Sequence, residues 1–216
     1  MVIDLSSAAF RKDDSGIALS EALITFPLVL LVFSAFVEFG FAMSQWNQTV
    51  KALQYGARLA AVSDPLVNDD TFAEVFPTNA ASTADVGKAA PNDATISLTC
   101  WMGSKNADER DNCVAARINR IVLGGDGVCG PITASPRGMC DLNWRIQPAN
   151  LMVTYQRSGL GYWGRPDGPV LTMRLEVRDV TFDLPLLGAL LGLDQIEVPA
   201  HPVTLTTEDL ETCSSC

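Results

Sequence analysis

Residues 17–62 read IALSEALITFPLVLLVFSAFVEFGFAMSQWNQTVKALQYGARLAAV. Within this stretch, residues 22–43 are apolar apart from Thr25, Ser34 and Glu38. At ~1.5 Å per residue, a helix of that length covers about 33 Å, which matches a hydrocarbon core of roughly 30 Å. We therefore predict one membrane-spanning helix at residues 17–43.

The helical pattern continues beyond the predicted span. Apolar side chains recur at steps of three and four, at Trp46, Val50, Leu53, Ala57, Ala60 and Ala61. Pro65 disfavours helical geometry in the residue before it, so the helix should stop near Ser63. The pattern predicts one continuous helix over Ile17–Val62, whose outer part, residues 44–62, is an amphipathic extension that packs on a folded domain.

Composition explains why the chain is both acidic and apolar. The 216 residues carry a net charge of −10, yet their mean hydropathy is +0.18. Residues 63–216 contain 11 Lys and Arg against 20 Asp and Glu, a charge of −9, which disfavours binding to nucleic acid. The hydrophobic content of 48% and the lack of a short repeat exclude collagen-like, coiled-coil and wholly disordered chains.

All six cysteines follow the predicted span: they are Cys100, Cys113, Cys129, Cys140, Cys213 and Cys216. An even number on one side of a membrane indicates disulfides in an oxidising compartment. We expect a cytoplasmic amino terminus and a periplasmic domain at residues 63–216. Sequential pairing, Cys100 with Cys113 and Cys129 with Cys140, is preferred among 15 connectivities, and the last two cysteines form a terminal disulfide or pair with earlier ones.

The exported domain has the pattern of an α+β fold, with an antiparallel sheet packed against the long helix. The expected elements are strands at residues 94–101, 151–155, 170–182 and 196–207, and helices at residues 71–76 and 109–123. Asp108 should cap the second of these helices, and Pro77–Asp93 should be a loop. In the third strand, odd-numbered residues from Leu171 to Val177 should face inward.

Residues with catalytic or metal-binding patterns are scarce. The single histidine, His201, lies between Ala200 and Pro202, and no phosphate-binding or nucleophile motif occurs. The pair Cys213 and Cys216 lacks the second Cys-x-x-Cys that a zinc ribbon requires. We expect no catalytic residue, no metal site and no cofactor.

A ten-residue apolar run, residues 184–193, is too short to span a bilayer. Its leading interpretation is a buried helical turn between two strands. The alternative is an exposed contact surface for another subunit or for the outer membrane leaflet. The residues that would form this surface are Leu186, Leu187, Leu190 and Leu191.

The segment before the apolar run is short, charged and ends in glycine. Residues 11–21 read RKDDSGIALSE. Cleavage between Gly16 and Ile17 would place a new α-amine one helical turn before Glu21, where it can pair with this carboxylate or with that of a neighbouring chain. A conventional signal peptide fits less well, because the apolar run is too long and residues 34–46 contain no Ala-x-Ala site.

This arrangement resembles the class III, type IV-like prepilin signature, and most closely that of the TadE-like pseudopilins of the tight-adherence (Flp) pilus system. The similarity includes Glu38-Phe39-Gly40 near the end of the span and the alanine-rich Gly56-Ala57-Arg58 helix end. It covers roughly residues 11–62. Ile17 replaces the phenylalanine found in many type IV pilins, and Phe41 stands where the family often has arginine.

The resemblance implies a pilin-like fold and a role in assembling or initiating a pilus. Residues 1–16 would be a cytoplasmic leader removed by a prepilin peptidase, and Glu21 would neutralise the new amine. The other expected partners are pilin or pseudopilin subunits, the inner-membrane assembly platform and membrane lipid. Glu38, Gly56 and Ala57 are candidate contacts with a partner helix, although Glu38 also suits an interfacial position and the small residues also suit packing on the chain's own domain.

Two other functions remain open on the sequence alone. A signal-anchored periplasmic enzyme would need catalytic residues that converge in a pocket. An uncleaved envelope adaptor would keep residues 1–16, so the mass of the mature chain distinguishes it from a processed pseudopilin.

Overall fold

The computed structural model describes residues 15–79, 82–130, 135–165, 168–182, 184–185, 188–189, 192, 196–198 and 201–208. These residues form an α+β structure with a long amino-terminal helix and a four-stranded antiparallel sheet. By its contacts the chain divides into two units. Residues 1–43 and 183–196 form the first, and residues 44–182 and 197–216 form the second.

Helix α1, Ser15–Ala61, is continuous over 47 residues and passes through both units. It begins two residues before the predicted start and ends one residue before the predicted end. The hydroxyl of Ser63 donates to the carbonyl of Leu59 at 2.7 Å, and its backbone N–H donates to Ala60 at 3.3 Å. These bonds satisfy carbonyls of the last turn, so the chain leaves the helix just before Pro65.

The main sheet of the second unit contains strands β1 (Asn92–Trp101), β2 (Leu151–Ser158), β3 (Thr172–Val177) and β6 (Val203–Thr206), in the spatial order β1-β2-β3-β6. All neighbouring strands are antiparallel. In β2, alternate residues from Leu151 to Arg157 are buried. Two-residue strands β4 (Thr181–Phe182) and β5 (Ile196–Glu197) form a separate pair.

The described residues of the second unit also include three short helices: α2 (Asp69–Val75), α3 (Ala107–Asp111) and α4 (Ala115–Leu123). Single 3₁₀ turns occur at Thr83–Asp85 and Pro148–Asn150. The second half of α1, the sheet and α4 share one hydrophobic core. Its fully buried members include Leu53, Ala57, Ile118, Ile121, Val153, Tyr155, Met173 and Leu175.

The predicted helix at residues 109–123 is wrong, because two helices, α3 and α4, occupy this region. The linker that follows α1 takes the backbone groups that a continuous helix would use. Asn68 donates its N–H to the carbonyl of Asn112 at 2.8 Å, and Val114 donates to Leu66 at 3.0 Å. The first of the two helices is capped by the side chain of Asn106 rather than by Asp108.

Two predicted strands are also interrupted. Residues 170–182 form β3 and β4, separated at Asp179, whose φ of 57° lies in the left-handed region and turns the chain out of the sheet. Residues 196–207 contribute β5 and β6 to different sheets. The predicted loop, residues 77–93, contains the first 3₁₀ turn and the start of β1. The inward face of β3 is as predicted, with Met173, Leu175 and Val177 buried.

Candidate functional site

The predicted processing site lies in the first turn of α1. Ser15 begins the helix, so the Gly16–Ile17 bond falls where backbone N–H groups have no intrahelical acceptor. Such a terminal turn opens at little energetic cost. Glu21 lies four residues beyond Ile17, about 6 Å along the axis and on nearly the same face.

Glu21 has an exposed side chain at the start of the apolar part of α1. The hydroxyl of Thr25 donates to the backbone carbonyl of Glu21 at 2.9 Å, which satisfies the polar group of this threonine within the helix. The carboxylate therefore lies on the outer surface of the helix. From this position it can meet a charged group in the first turn or on another chain.

The first half of α1 exposes an almost wholly apolar surface. Leu19, Leu23 and Phe36 are each more than 70% exposed, and most large side chains between them are more than 40% exposed. Residues 19–61 are, by length and composition, a helix that can cross a membrane. A water-soluble domain rarely exposes so continuous an apolar surface, so lipid or other apolar helices are its natural surroundings.

Glu38 is an exception on this apolar surface. Its side chain is 3% exposed, whereas the neighbouring Val37 and Phe39 are 71% and 61% exposed. From the sequence, Glu38 was expected at the membrane–water interface or against a partner helix. The structure covers this side chain within the chain itself.

Gly56 and Ala57 lie in the core of the second unit. Ala57 is fully buried, and Gly56 lies against the side chain of Met139. Neither residue is on the surface of the chain. Both pack within the chain's own domain, which was the favoured interpretation of these small residues. Their small size allows the loop that carries Met139 to approach the helix.

Two polar residues of α1 were missed by the sequence analysis. Gln45 and Thr49 are buried, and Asn143 donates from its side-chain amide to the Thr49 hydroxyl at 2.8 Å. Thr49 in turn donates to the carbonyl of Gln45 at 2.9 Å. Gln45, Thr49 and Leu53 follow one another at steps of four residues, a spacing that places them on one face of the helix. A search for apolar residues alone does not find the polar residues on a buried helix face.

The linker after α1 is held by buried and charged side chains. The N–H of Leu66 donates to the phenolic oxygen of Tyr155 at 3.0 Å, and burial raises the pKa of this phenol. Arg117 donates to the carbonyls of Pro65 and Val67 at 2.8 and 3.2 Å. It also forms a two-pronged ion pair with Asp69, with distances of 2.7 and 2.8 Å.

This ion pair changes the ionisation of both partners. The hydrogen bonds from Arg117 lower the pKa of Asp69, and the carboxylate of Asp69 raises the pKa of Arg117. Asp69, on α2, and Arg117, on α4, are 48 residues apart in sequence. The pair therefore fixes where the long helix enters the domain, and no sequence motif indicated it.

Two disulfides join cysteines in sequential order. Cys100 pairs with Cys113, and Cys129 pairs with Cys140. This is the arrangement that the sequence analysis preferred. Cys100 is completely buried, so the first disulfide ties the core strand β1 to the segment between α3 and α4.

Several predicted residues lie outside the described part of the chain. They are Leu186, Leu187, Leu190, Leu191, Cys213 and Cys216, together with most of the leader, residues 1–14. Within the short apolar run, Gly188 donates its N–H to the carbonyl of Leu184 at 2.9 Å, which is a single helical turn.

The described residues include no group of three or more His, Cys, Asp or Glu side chains that could hold a metal ion. His201 is exposed, with its ring 6.4 Å from the ring of Trp46. Glu176, on the outer face of the sheet, accepts from Arg174 and Arg178 at 2.6 Å each. The contacts of Glu176 are ion pairs within the sheet surface.

Among known proteins, a match is found for the amino-terminal helix. The family model described as TadE-like protein matches residues 16–58, which begin at the predicted cleavage site and end near the end of α1. Comparisons with curated proteins and with solved structures gave no significant match. The match is a similarity to this family over the helix, and the rest of the chain lies outside it. The predicted resemblance to the TadE-like family is therefore confirmed, over residues 16–58.

Proposed function

We propose that this protein is a minor pilin or pseudopilin that takes part in assembling or initiating a tight-adherence (Flp-type) pilus. The family match over residues 16–58 carries this proposal, because it covers Gly16, Glu21, the apolar run and the Gly56-Ala57-Arg58 helix end in one stretch. The role is non-catalytic. The chain acts by placing its helix in a bundle with other subunits.

Processing is the first step of the proposed function. A prepilin peptidase cuts after Gly16 and leaves a mature chain of 200 residues that begins at Ile17. Removing residues 1–16 removes two basic and three acidic residues, so the net charge changes from −10 to −9. The cleaved bond lies in the terminal turn of α1, where local opening gives the peptidase access.

Glu21 supplies the electrostatic part of assembly. A carboxylate near the centre of a bilayer costs about 2.5–3.5 kcal/mol on insertion scales, so a charged partner or an interfacial position is needed. An α-amine has an ordinary pKa near 8 and is therefore mostly protonated at pH 7. The amine of Ile17, from the same chain or from a neighbour, is the proposed partner and sets the register of adjacent helices.

The proposed location follows from the helix and the disulfides. The protein spans the inner membrane once, with residues 1–16 in the cytoplasm and residues 63–216 in the periplasm. Two disulfides in the second unit support the oxidising compartment. The partners proposed are the prepilin peptidase, other pilin or pseudopilin subunits and the inner-membrane assembly platform.

Intact-mass measurement tests the processing step. The chain is expressed with a prepilin peptidase and purified from membranes. We expect the wild-type chain to lose residues 1–16, and Gly16→Ala to keep them. Gly40→Ala is the matched control, since it changes a glycine of the same helix far from the cleavage site, and it should be processed normally. A wild-type chain of full-length mass would contradict processing and support an uncleaved adaptor.

A second experiment tests Glu21. Glu21→Gln should be cleaved as the wild type is, because the cleavage site is unchanged, but its cells should carry far fewer pili. Glu74→Gln, in the exposed helix α2, serves as the control and should assemble normally. Normal piliation by Glu21→Gln would exclude the pairing of this carboxylate with the amine.

A further inference from the structure

A charged residue ends the buried row of strand β2. Alternate residues of β2, from Leu151 to Arg157, are buried. Leu151, Val153 and Tyr155 belong to the hydrophobic core, and Arg157 follows them with only 5% of its surface exposed. A guanidinium keeps its proton in proteins, so Arg157 places a positive charge at the edge of the core. Burial lowers the pKa of this group, because the charged form loses its hydration.

Two nitrogen atoms of Arg157 have no hydrogen-bond acceptor among the described residues. They are Nε and Nη2, and both are buried. These two atoms lie on the same edge of the planar guanidinium. That edge matches the two oxygen atoms of a carboxylate, which it binds through two parallel hydrogen bonds. A buried donor without an acceptor costs free energy, and a charged donor costs more. The missing partner is therefore specified by shape as well as by charge.

The groups that lie near Arg157 do not supply this partner. Asp93 is opposite Arg157 in the register of β1 and β2. Its carboxylate accepts instead from the backbone N–H and the hydroxyl of Thr95, at 3.0 and 2.6 Å. The guanidinium carbon lies over the ring of Trp163, 5.0 Å from its centre, and this ring offers a π face but no acceptor oxygen. The paired-donor edge of Arg157 thus stays open for an acceptor from elsewhere.

The loop that carries Trp163 is tied to a second segment of the chain. Trp163 accepts from the N–H of Gly87 at 2.7 Å and donates to the carbonyl of Lys88 at 3.0 Å. These two segments expose three large apolar side chains, each between 42% and 58% exposed, which we call the apolar patch: Val86, Leu160 and Tyr162. Apolar side chains combined with arginine are typical of the centres of protein–protein interfaces.

We propose that this end of the sheet binds an acidic segment of another protein chain, whose aspartate or glutamate carboxylate pairs with Nε and Nη2 of Arg157. Apolar residues beside that acid contact the apolar patch, and the ring of Trp163 moves aside as the carboxylate enters. A phosphate fits less well, because its second negative charge would meet Asp93 in a domain, residues 63–216, that already carries −9. The proposed function in pilus assembly does not use this site.

Replacement of Arg157 by methionine gives the first test. Arg157→Met keeps an unbranched side chain and removes the unpaired charge, so its melting temperature should equal or exceed that of the wild type. Arg117→Met is the matched control. It removes an arginine of the same unit that has acceptors, and it should melt at a lower temperature. Thermal unfolding of the full chain in detergent micelles, followed by circular dichroism, measures both. A loss from Arg157→Met as large as that from Arg117→Met would overturn the proposal, because Arg157 would then have a partner within the chain.

Peptide binding gives the second test. The probes are acetyl-Leu-Glu-Leu-amide, its glutamine counterpart acetyl-Leu-Gln-Leu-amide, acetate and inorganic phosphate, all at constant ionic strength. The side-chain Nε–H signals of the ¹⁵N-arginine-labelled chain are followed by NMR, and Arg157→Met identifies the signal of Arg157. We expect the glutamate peptide to shift this signal. At about five times its Kd, this peptide should raise the melting temperature by about 2–4 °C. The glutamine peptide should do neither, and acetate should act only at higher concentration because it lacks the apolar contacts.

The other outcomes each overturn part or all of the proposal. An equal response to the glutamine peptide would exclude carboxylate recognition, and tighter binding of inorganic phosphate would assign the site to a different anion. Acetate that binds as tightly as the glutamate peptide would exclude a protein segment as the ligand. No response to any probe would exclude the site. None of these measurements involves a peptidase or a pilus, so their failure leaves the proposed function standing, and an unprocessed chain leaves this site standing.

Discussion

Single residues decide how closely α1 and its domain approach each other. A Cβ atom on Gly56 would lie 2.3 Å from the sulfur and 2.6 Å from Cγ of Met139, closer than real contacts allow. Met139 is itself completely buried, so its side chain has little room to move. The Thr49–Asn143 hydrogen bond, about two helical turns before Gly56, joins the same two segments. Glycine at position 56 is therefore required by tertiary packing, although it is a poor helix former.

Gly56→Ala should lower the thermal stability of the second unit. Relief of the glycine penalty gains about 1 kcal/mol, but overpacking against Met139 costs about 1–3 kcal/mol. Gly40→Ala, which meets no atom within 4 Å, should leave the melting temperature of the domain unchanged. Thermal unfolding in detergent micelles, followed by circular dichroism, measures both.

A double-substitution cycle identifies the cause of the Gly56→Ala effect. Met139→Ala alone should cost about 2–5 kcal/mol by leaving a cavity. In that background, Gly56→Ala should become neutral or stabilising, because the clashing atoms are gone. An equal loss from Gly56→Ala in both backgrounds would show that Met139 is not the reason for glycine at this position.

Elements are positioned by the linker that follows α1. This linker pairs with the segment between α3 and α4 and interrupts what the amphipathic pattern predicted as one helix. Arg117, on α4, holds the linker carbonyls and Asp69 at the start of α2. The side chain of Asp69 is 68% exposed, so solvent weakens this ion pair. Its main effect is to fix the direction of the chain.

The Arg117–Asp69 pair should make stability depend on pH. Because Arg117 lowers the pKa of Asp69 in the folded state, the pair stabilises the fold above the ordinary value of 3.8. This contribution is lost as the pH falls through the lowered pKa. Asp69→Asn should therefore cost at most about 1 kcal/mol at pH 7, after allowance for solvent screening, and nothing in strong acid.

Urea unfolding between pH 2 and pH 7 measures the difference between Asp69→Asn and the wild type. Asp70→Asn is the control, because it removes an equivalent charge from the same first turn of α2. Its effect should be smaller, since Arg117 pairs with Asp69. A larger loss from Asp70→Asn, or a loss from Asp69→Asn that does not vary with pH, would exclude this role of the pair.

The whole molecule separates apolar surface from negative charge. The apolar surface lies on the first half of α1, whereas residues 63–216 carry a charge of −9. Fully exposed in water, the first half of α1 would promote aggregation. A membrane or a helical bundle would remove that surface from water.

Val32→Asp should weaken membrane retention without unfolding the second unit. The residue is 44% exposed near the middle of the apolar run, where a carboxylate costs about 2.5–3.5 kcal/mol on insertion scales. Gln54→Asp places the same charge on an exposed site of the outer half of α1 and should be retained normally. The retained fraction after an alkaline wash of membranes measures the effect. Equal retention of both variants would contradict a span at residues 17–43.

The sequence alone was sufficient for the local and periodic features. It predicted the long helix to within two residues at either end, the α+β class, the inward face of β3 and the TadE-like resemblance. These features depend on spacing between nearby residues, which is visible in a single chain. The sequential disulfides also join cysteines only 13 and 11 residues apart.

Tertiary structure decided the rest. The break between α3 and α4, the requirement for Gly56 and the burial of Thr49 each depend on a partner far away in sequence: Leu66, Met139 and Asn143. Local spacing carries no information about which distant backbone group will compete for a hydrogen bond or which side chain will fill a gap. The sequence pattern therefore determined that this chain has one long helix, apolar in its first half and amphipathic in its second, and only packing determined which small and polar residues of the second half are buried.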